Sequence, residues 1–236
     1  MDKKQIIMQV PFDGLSYSEA LETLMGFLQS NNNHMVVTPN PEFLMMAKRD
    51  GDFLHILQKA DLVLADGIGI LLAARKLKLN IPERVPGCDI TADLLKKAKG
   101  YDCFLLGAAP GVAKKARENL IKQGINVIGT HDGFFDEEAE KILLKELNQL
   151  KPDILIIGMG SPRQEKWLNR HFYNLPCKIS ICVGGSIDIL AGNVRRAPKI
   201  LRRMGLEWLY RLITNPSRAK RMLDLPRFAW EIFINN

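Results

Sequence analysis

Ile154-Leu155-Ile156-Ile157-Gly158-Met159-Gly160-Ser161-Pro162-Arg163-Gln164-Glu165 opens as an unbroken apolar run, stops at two glycines and then turns polar. A short run apolar on both faces, closed by glycine and followed by helical spacing, reads as a strand of a parallel sheet passing into a helix. The same pattern recurs along the chain. Runs at His34–Thr38, Leu62–Ala65, Cys103–Gly107, Val127–Thr130 and Ile179–Val183 alternate with helical segments near residues 17–29, 41–49, 67–78, 89–99, 110–123, 136–149 and 162–173. Such alternation predicts an α/β fold with a mainly parallel sheet. Pro41 and Pro110 suit first helical turns, and Asp136 and Ser161 suit N-caps. Asp136-Glu137-Glu138 places acids where a helix dipole favours them.

The chain has 236 residues, 47% hydrophobic and 25% charged, which suits one globular domain or a domain with an appendage. No stretch has the 18 or so apolar residues of a membrane span. The apolar run after Lys3 and Lys4 is broken by Gln9 and Pro11, so no secretory signal is expected and the protein is placed in the cytoplasm. Cys88, Cys103, Cys177 and Cys182 fit neither a zinc pattern nor a disulfide framework and read as reduced core thiols.

Charge divides the chain. From Arg195 onward ten basic residues face Glu207, Asp224 and Glu231, so this segment carries the entire +7 excess and residues 1–194 are balanced. Concentrated cations imply a polyanionic neighbour. Trp208, Leu209, Leu212, Ile213, Leu225, Phe228 and Trp230 lie among them, a mixture that suits a helix on an anionic membrane surface better than a hydrophilic nucleic-acid arm. A basic helix docked on its own domain is the alternative. Two domains are expected: 1–194, an α/β catalytic domain, and 195–236, a basic amphipathic helical appendage divided by Pro216 and Pro226.

Ligands of open parallel sheets bind beyond the carboxyl ends of the strands. There the sequence places Thr38-Pro39-Asn40-Pro41, Asp66-Gly67-Ile68-Gly69, Gly107-Ala108-Ala109-Pro110, Gly158 to Glu165, and Gly184-Gly185-Ser186-Ile187-Asp188. Gly67-x-Gly69 and Gly158-x-Gly160 each open a helix, where backbone N–H groups receive phosphate, or they merely permit tight turns. Neither is a dinucleotide fingerprint, since the third glycine would fall on Leu72 or Arg163. Asp66 reads as a general base or as the N-cap of the next helix. Arg84, in a proline-stiffened loop, reads as fixed positive charge for a diphosphate or as half of an ion pair. Asp50-Gly51-Asp52 resembles a metal-holding D-x-D but lies between helical segments, and reads as a turn in which Asp50 or Asp52 caps the next helix. His34, His55, His131 and His171 lack ligand spacing, and Phe134 or Phe135 suits either a base pocket or the core.

Thr38-Pro39-Asn40, Ala65-Asp66-Gly67, Glu83-Arg84-Val85-Pro86-Gly87, Leu105-Leu106-Gly107-Ala108, Gly158-x-Gly160-x-Pro162-x-Gln164-Glu165, Val183-Gly184-Gly185-x-x-Asp188, Arg196-Ala197-Pro198 and Gly205-Leu206-Glu207-Trp208-Leu209-Tyr210-Arg211 together resemble the WecG/TagA/CpsF glycosyltransferases, in order and over nearly the whole chain. The resemblance implies a Rossmann-like fold of the GT-E type, with helices on both sheet faces and an appendage that meets the membrane and completes the active site. It implies an inverting, metal-independent bacterial enzyme, needing no cofactor, on the inner face of the cell membrane. Its substrates would be UDP-N-acetylmannosamine and GlcNAc-diphospho-undecaprenol, joined by a β-1,4 linkage in wall teichoic acid or related polysaccharide synthesis. It makes Asp66 the base on the acceptor 4-hydroxyl, with Thr38, Arg84 and Gln164 lining the pocket. Asn40, Gly67, Gly107, Gly185 and Asp188 would bind substrate or nucleotide, and Arg211, Arg218 and Arg221 would reach the diphosphates.

Partners are then a UDP-sugar, a lipid-linked GlcNAc-diphosphate and an anionic membrane surface, with no nucleic acid; a homo-oligomer is compatible with the sequence. The alternatives are another UDP-sugar donor (the uronic acid of N-acetylmannosamine, or glucose), a nucleotide-binding oxidoreductase, and a non-enzymatic membrane adaptor.

Overall fold

The computed structural model describes residues 4–214 and 222–234. It starts with an antiparallel hairpin of β1 (Gln5–Ile7) and β2 (Val10–Phe12), which the sequence reading does not anticipate. Met8 and Gln9 form its two-residue turn, both with positive φ (46° and 67°). That geometry ordinarily announces itself as Asn-Gly or Asp-Gly, so the usual signal is missing here.

The remaining strands are β3 (His34–Val37), β4 (Leu62–Val63), β5 (Cys103–Gly107), β6 (Val127–His131), β7 (Ile154–Gly158) and β8 (Ile179–Cys182). They form one parallel sheet in the order β4-β3-β8-β7-β5-β6. All six expected strands are present, and every residue of β5, β7 and β8 is buried. Alternation along each strand feeds two cores. Val37, Leu106, Leu155 and Ile157 face one, while Val36, Leu105, Ile154 and Ile156 face the other.

The second core is covered by α1 (Tyr17–Phe27), α5 (Gly87–Lys97), α6 (Val112–Ile121) and α9 (Ser186–Leu190), through Leu24, Leu94, Ala116 and Ile187. The first is covered by α2 (Pro41–Arg49), α3 (Gly51–Lys59), α4 (Ile68–Lys76), α7 (Glu137–Leu150) and α8 (Arg163–His171), through Leu44, Phe53, Ile70, Leu143 and Leu168. Asn40 caps α2 with Pro41 in its first turn, Asp50 caps α3 and Asp136 caps α7. Asp50 also pairs with Lys166 at 2.6 Å, so this carboxylate is a cap and a tie, as the turn reading expects.

Two helix starts depart from expectation. Gly111, not Pro110, precedes α6, and Pro162, not Ser161, holds the cap position of α8. The Ser161 hydroxyl is used elsewhere, donating to Glu165 at 2.8 Å.

Beyond residue 194, the described residues form α10 (Lys199–Arg203), α11 (Glu207–Thr214) and α12 (Asp224–Phe233). The change of composition at residue 194 does not separate two cores. Phe228 and Ile232 of α12 are buried in the first core, and α12 packs on α2 and α4. Burying two such side chains contributes on the order of 3–6 kcal/mol. A salt bridge fixes the register: Arg49 gives two hydrogen bonds to Asp224, at 2.9 and 2.7 Å, and Lys48 pairs with Glu231. Its hydrogen bonds to Arg49 hold the Asp224 carboxyl below the usual range.

A second tie holds the turns after β7 and β8. Gln164 is fully buried, and its carbonyl oxygen accepts from the Gly160 and Gly184 N–H groups, each at 3.1 Å. Its amide nitrogen donates to Glu165 at 2.7 Å. Glu165 is also fully buried, and burial pushes its carboxyl up to about 7, although Gln164 and Ser161 favour the anion.

Two predictions follow from these ties. Asp224→Ala is expected to weaken docking of α12 by about 1 kcal/mol. Hydrogen exchange should quicken across residues 224–233 while β5 and β7 stay protected; unchanged exchange would deny the pair this role. For Glu165, the folded state holds its proton more tightly than the unfolded chain, so its contribution is complete below the ordinary carboxyl pKa. That contribution is lost as pH rises through about 7. Glu165→Gln should remove the loss, raising stability relative to the parent by up to about 3 kcal/mol between pH 5 and pH 8. Denaturant unfolding at both pH values reads the difference, and parallel pH profiles would contradict it.

Candidate functional site

The carboxyl ends of β3, β4 and β8 open into a cavity of about 470 Å³, with the terminal helices on its opposite side. That volume suits a ligand of substrate size. Asn40, Asp66, Gly67, Arg84, Val183 and Ser186 reach it from the body, and Arg196, Glu207, Trp208, Leu225 and Phe228 reach it from beyond residue 194.

Backbone pairing places Asp66 and Arg84 together. The Asp66 N–H donates to the Pro39 carbonyl at 3.1 Å, and the Val85 N–H donates to the Ala65 carbonyl at 2.8 Å. The 83–87 loop therefore runs beside the strand end that bears Asp66. The Asp66 carboxylate accepts from the Gly87 N–H at 3.3 Å, at the start of α5. It does not cap α4, whose cap position is Gly67 and has no side-chain hydrogen bond. Gly87 must be glycine for a steric reason: a Cβ there would lie 2.5 Å from the Thr38 hydroxyl. Thr38 is buried behind that contact and is not among the residues that line the cavity.

Arg84 takes up the ion-pair role. It lies 3.7 Å from Glu207 of α11 and donates to the Arg202 carbonyl of α10 at 3.2 Å. Glu207 also contacts Arg196 at 3.3 Å, and Arg196 binds Asp89 at the start of α5. Burial works against charge on Arg196, but Cys88, Glu207 and Asp89 more than offset it and hold the guanidinium above its ordinary value. Two partly buried arginines thus share one buried carboxylate on the cavity wall. Neither Glu207 nor Arg196 is assigned a role by the sequence reading. The available signal is an acid within a strongly basic segment, close to Gly205 and Arg211.

The other expected site residues lie elsewhere. Gln164 does not line the cavity; its amide is spent on the Gly160 and Gly184 backbone, which makes it a positioning residue. Gly107 ends β5 opposite Gly158, so close that a Cβ would lie 2.4 Å from the Gly158 carbonyl. There the chain turns outward from β5 to β6 but returns inward from β7 to β8, the type of crevice where α/β sheets bind nucleotides. Gly185 caps α9 and Asp188 stands in its first turn, where burial raises the Asp188 carboxyl. These three therefore belong to the neighbouring sheet edge. Val183 and Ser186 of the same turn connect that edge to the cavity. Asn40 lines the cavity while its side-chain oxygen accepts from the Phe43 N–H.

Arg211 lies in α11 by its backbone, and its side chain falls outside the described residues, as do Arg218 and Arg221. Phe135 packs edge-on against His131 and Trp167, whereas Phe134 is exposed. Phe135 also borders a second cavity, between α7 and α8, where Lys166 and Arg170 pair with Asp50 and Glu140 and Arg163 lies over the Phe134 and Phe135 rings. Among the described residues, no helix is long and apolar enough to cross a membrane.

The chain is similar to known proteins over nearly its whole length. The profile described as "Glycosyl transferase WecG/TagA/CpsF family" matches residues 5–236. A protein of Staphylococcus aureus strain MRSA252, named N-acetylglucosaminyldiphosphoundecaprenol N-acetyl-beta-D-mannosaminyltransferase, is 34% identical over 231 residues, which cover 96% of this chain and 91% of the relative. Proteins of the same name from strains NCTC 8325 / PS 47 and COL are 33% identical over the same shares of both chains. With a match that spans both the sheet and the terminal helices enclosing the cavity, the chain belongs to the WecG/TagA/CpsF family of glycosyltransferases.

Proposed function

We propose that this glycosyltransferase moves N-acetylmannosamine from its UDP donor to the 4-hydroxyl of GlcNAc carried on a diphospho-undecaprenol, with inversion, in synthesis of wall teichoic acid or a related surface polysaccharide. The observation that carries the reading is the convergence of Asp66, Arg84 and Arg196 on one cavity at the carboxyl edge of the sheet. The names of the relatives, matched over nearly their full length, support this choice of donor and acceptor.

The chemistry assigns each group a task. Asp66 takes the proton from the acceptor hydroxyl as its oxygen attacks the anomeric carbon. The bond to UDP breaks with its electron pair passing to the β-phosphate. Inversion follows from attack opposite the leaving group, and removing such a base costs about 10²–10⁴ in rate. Guanidinium groups, not a metal ion, meet the diphosphate charge in this reading. Arg84 and Arg196 are fixed beside the base, and Arg211, Arg218 and Arg221 are proposed to join them. Asn40, Gly67, Gly107, Gly185 and Asp188 remain the proposed contacts for substrate and nucleotide.

Peripheral contact with the inner leaflet is part of the same proposal. Trp208, Ile213, Leu223, Trp230 and Phe233 are exposed on the terminal helices, in the segment that carries all of the excess positive charge. An anionic surface attracts such a segment and would bring the cavity to a substrate anchored there.

The test is acceptor-dependent UDP release from UDP-N-acetylmannosamine with EDTA present. The parent should be active, Asp66→Asn should lose about 10²–10⁴ in kcat, and Arg84→Gln should lose activity with little change in fold by circular dichroism. Point variants are preferable to ending the chain at Gly192, which would strip Phe228 and Ile232 from the core. Full activity in Asp66→Asn would remove the base assignment. Release that needs added Mn²⁺ would remove the metal-independent mechanism, and activity only with another UDP-sugar would replace the donor.

A further inference from the structure

The cavity has two chemistries. One side is polar, built from Asn40, Asp66, Arg84 and Arg196. The other is a wall of Leu72 from α4, Trp208 from α11, and Leu225, Phe228 and Phe233 from α12. A sugar diphosphate is recognised by cations and hydrogen-bonding groups and leaves such a wall unused. The wall also runs out to the surface: Leu72, Trp208 and Phe233 line the cavity and are still 44%, 39% and 45% exposed. Trp230 and Ile234, on and just after α12, continue the exposed apolar surface. Contiguous apolar side chains left partly in water around a cavity mark a place for an apolar ligand.

We propose that this wall is a slot for the first isoprene units of the lipid carrier, the hydrocarbon joined directly to the acceptor's diphosphate. The inference rests on the acceptor identity given under Proposed function. Its geometric basis is that both chemistries line one cavity. Groups suited to the sugar and diphosphate share it with the apolar side chains, and Leu72, Trp208 and Phe233 of its lining are open to solvent. A ligand that joins sugar, diphosphate and hydrocarbon matches that combination of surfaces. A uracil ring or a second sugar would leave its own polar edges unpaired against Leu72, Leu225 and Phe228. The enzyme therefore reads the carrier's chain directly, in addition to meeting it on a membrane.

The distinguishing experiment removes the membrane. Full-length protein is assayed for UDP release from UDP-N-acetylmannosamine in buffer free of vesicles and detergent, with soluble GlcNAc-diphosphate esters carrying a methyl, a five-carbon prenyl or a ten-carbon diprenyl group. With each isoprene unit partly buried, kcat/KM is expected to rise about tenfold for each of the two prenyl units, mainly through KM. Leu72→Glu and Ala229→Phe alter exposed cavity positions outside the core, and each should flatten the series toward a ratio near one. Equal kcat/KM for all three esters, with turnover intact, would overturn the slot and leave the transferase reading standing. A rise that survives both substitutions would put the hydrocarbon elsewhere and likewise overturn it. No turnover with any ester would overturn the donor and acceptor given under Proposed function, and the slot with them.

Discussion

Strands that pair only in parallel must return across the sheet after every pass, and in this sheet every return is made through one or two helices. That constraint sends all six strand ends to one edge and makes the turns there neighbours in space although they are distant in sequence. Asp66 follows β4, Asn40 follows β3 and Ser186 follows β8, yet all three face one cavity because β4, β3 and β8 are adjacent. The strands β5, β7 and β8 are buried on both faces, so the edge turns are where this part of the sheet can carry polar chemistry.

Turns left to themselves would be mobile, and the structure holds them with buried polar groups. Gln164 joins the turns after β7 and β8 through two backbone N–H groups, and Glu165 is held beneath it at the cost of an unfavourably buried carboxyl. On the cavity wall, Glu207 supplies negative charge between Arg84 and Arg196. Charges this close to the interior are tolerated when paired, and removing one partner is expensive. The arrangement keeps two guanidiniums fixed near Asp66 without leaving either unpaired. In the proposed reaction, a diphosphate brought to that wall meets preorganised cations and pays little to orient them.

Much of this architecture was legible because its signals are local. Six apolar, often β-branched runs became six strands, and Asn40, Asp50 and Asp136 cap helices that begin at the following residue. Asp66, Arg84, Asn40 and Gly67 could be placed around one cavity because each sits directly after a strand or in a stiff loop beside one. The missed features are of two kinds. The Met8-Gln9 turn and the five-residue α9 carry weak local signals. The Gln164 brace and the cluster of Arg84, Arg196 and Glu207 depend on contacts between distant segments, which no spacing rule encodes. Thr38, Gly107, Gly185 and Asp188 lie at the expected edge of the sheet but do not line the cavity: Thr38 is buried behind Gly87, and Gly107 ends β5, away from the strands that open into it.

The terminal helices show why composition alone could not choose between a membrane helix and a helix docked on its own domain. An amphipathic helix has one face to bury and the other to offer, and here α12 does both. Phe228 and Ile232 enter the core, while Trp230 and Phe233 remain exposed one turn or less away. The buried face fixes where the exposed face points relative to Asp66, because α12 packs directly on α2 and α4, the helices that follow Asn40 and Gly67. If the exposed face meets an anionic leaflet as proposed, the docked face sets the orientation of the catalytic edge to that surface. Docking on the domain and contact with lipid are then two faces of one helix, and a mutation that weakens the first should impair the second even when every exposed residue is retained.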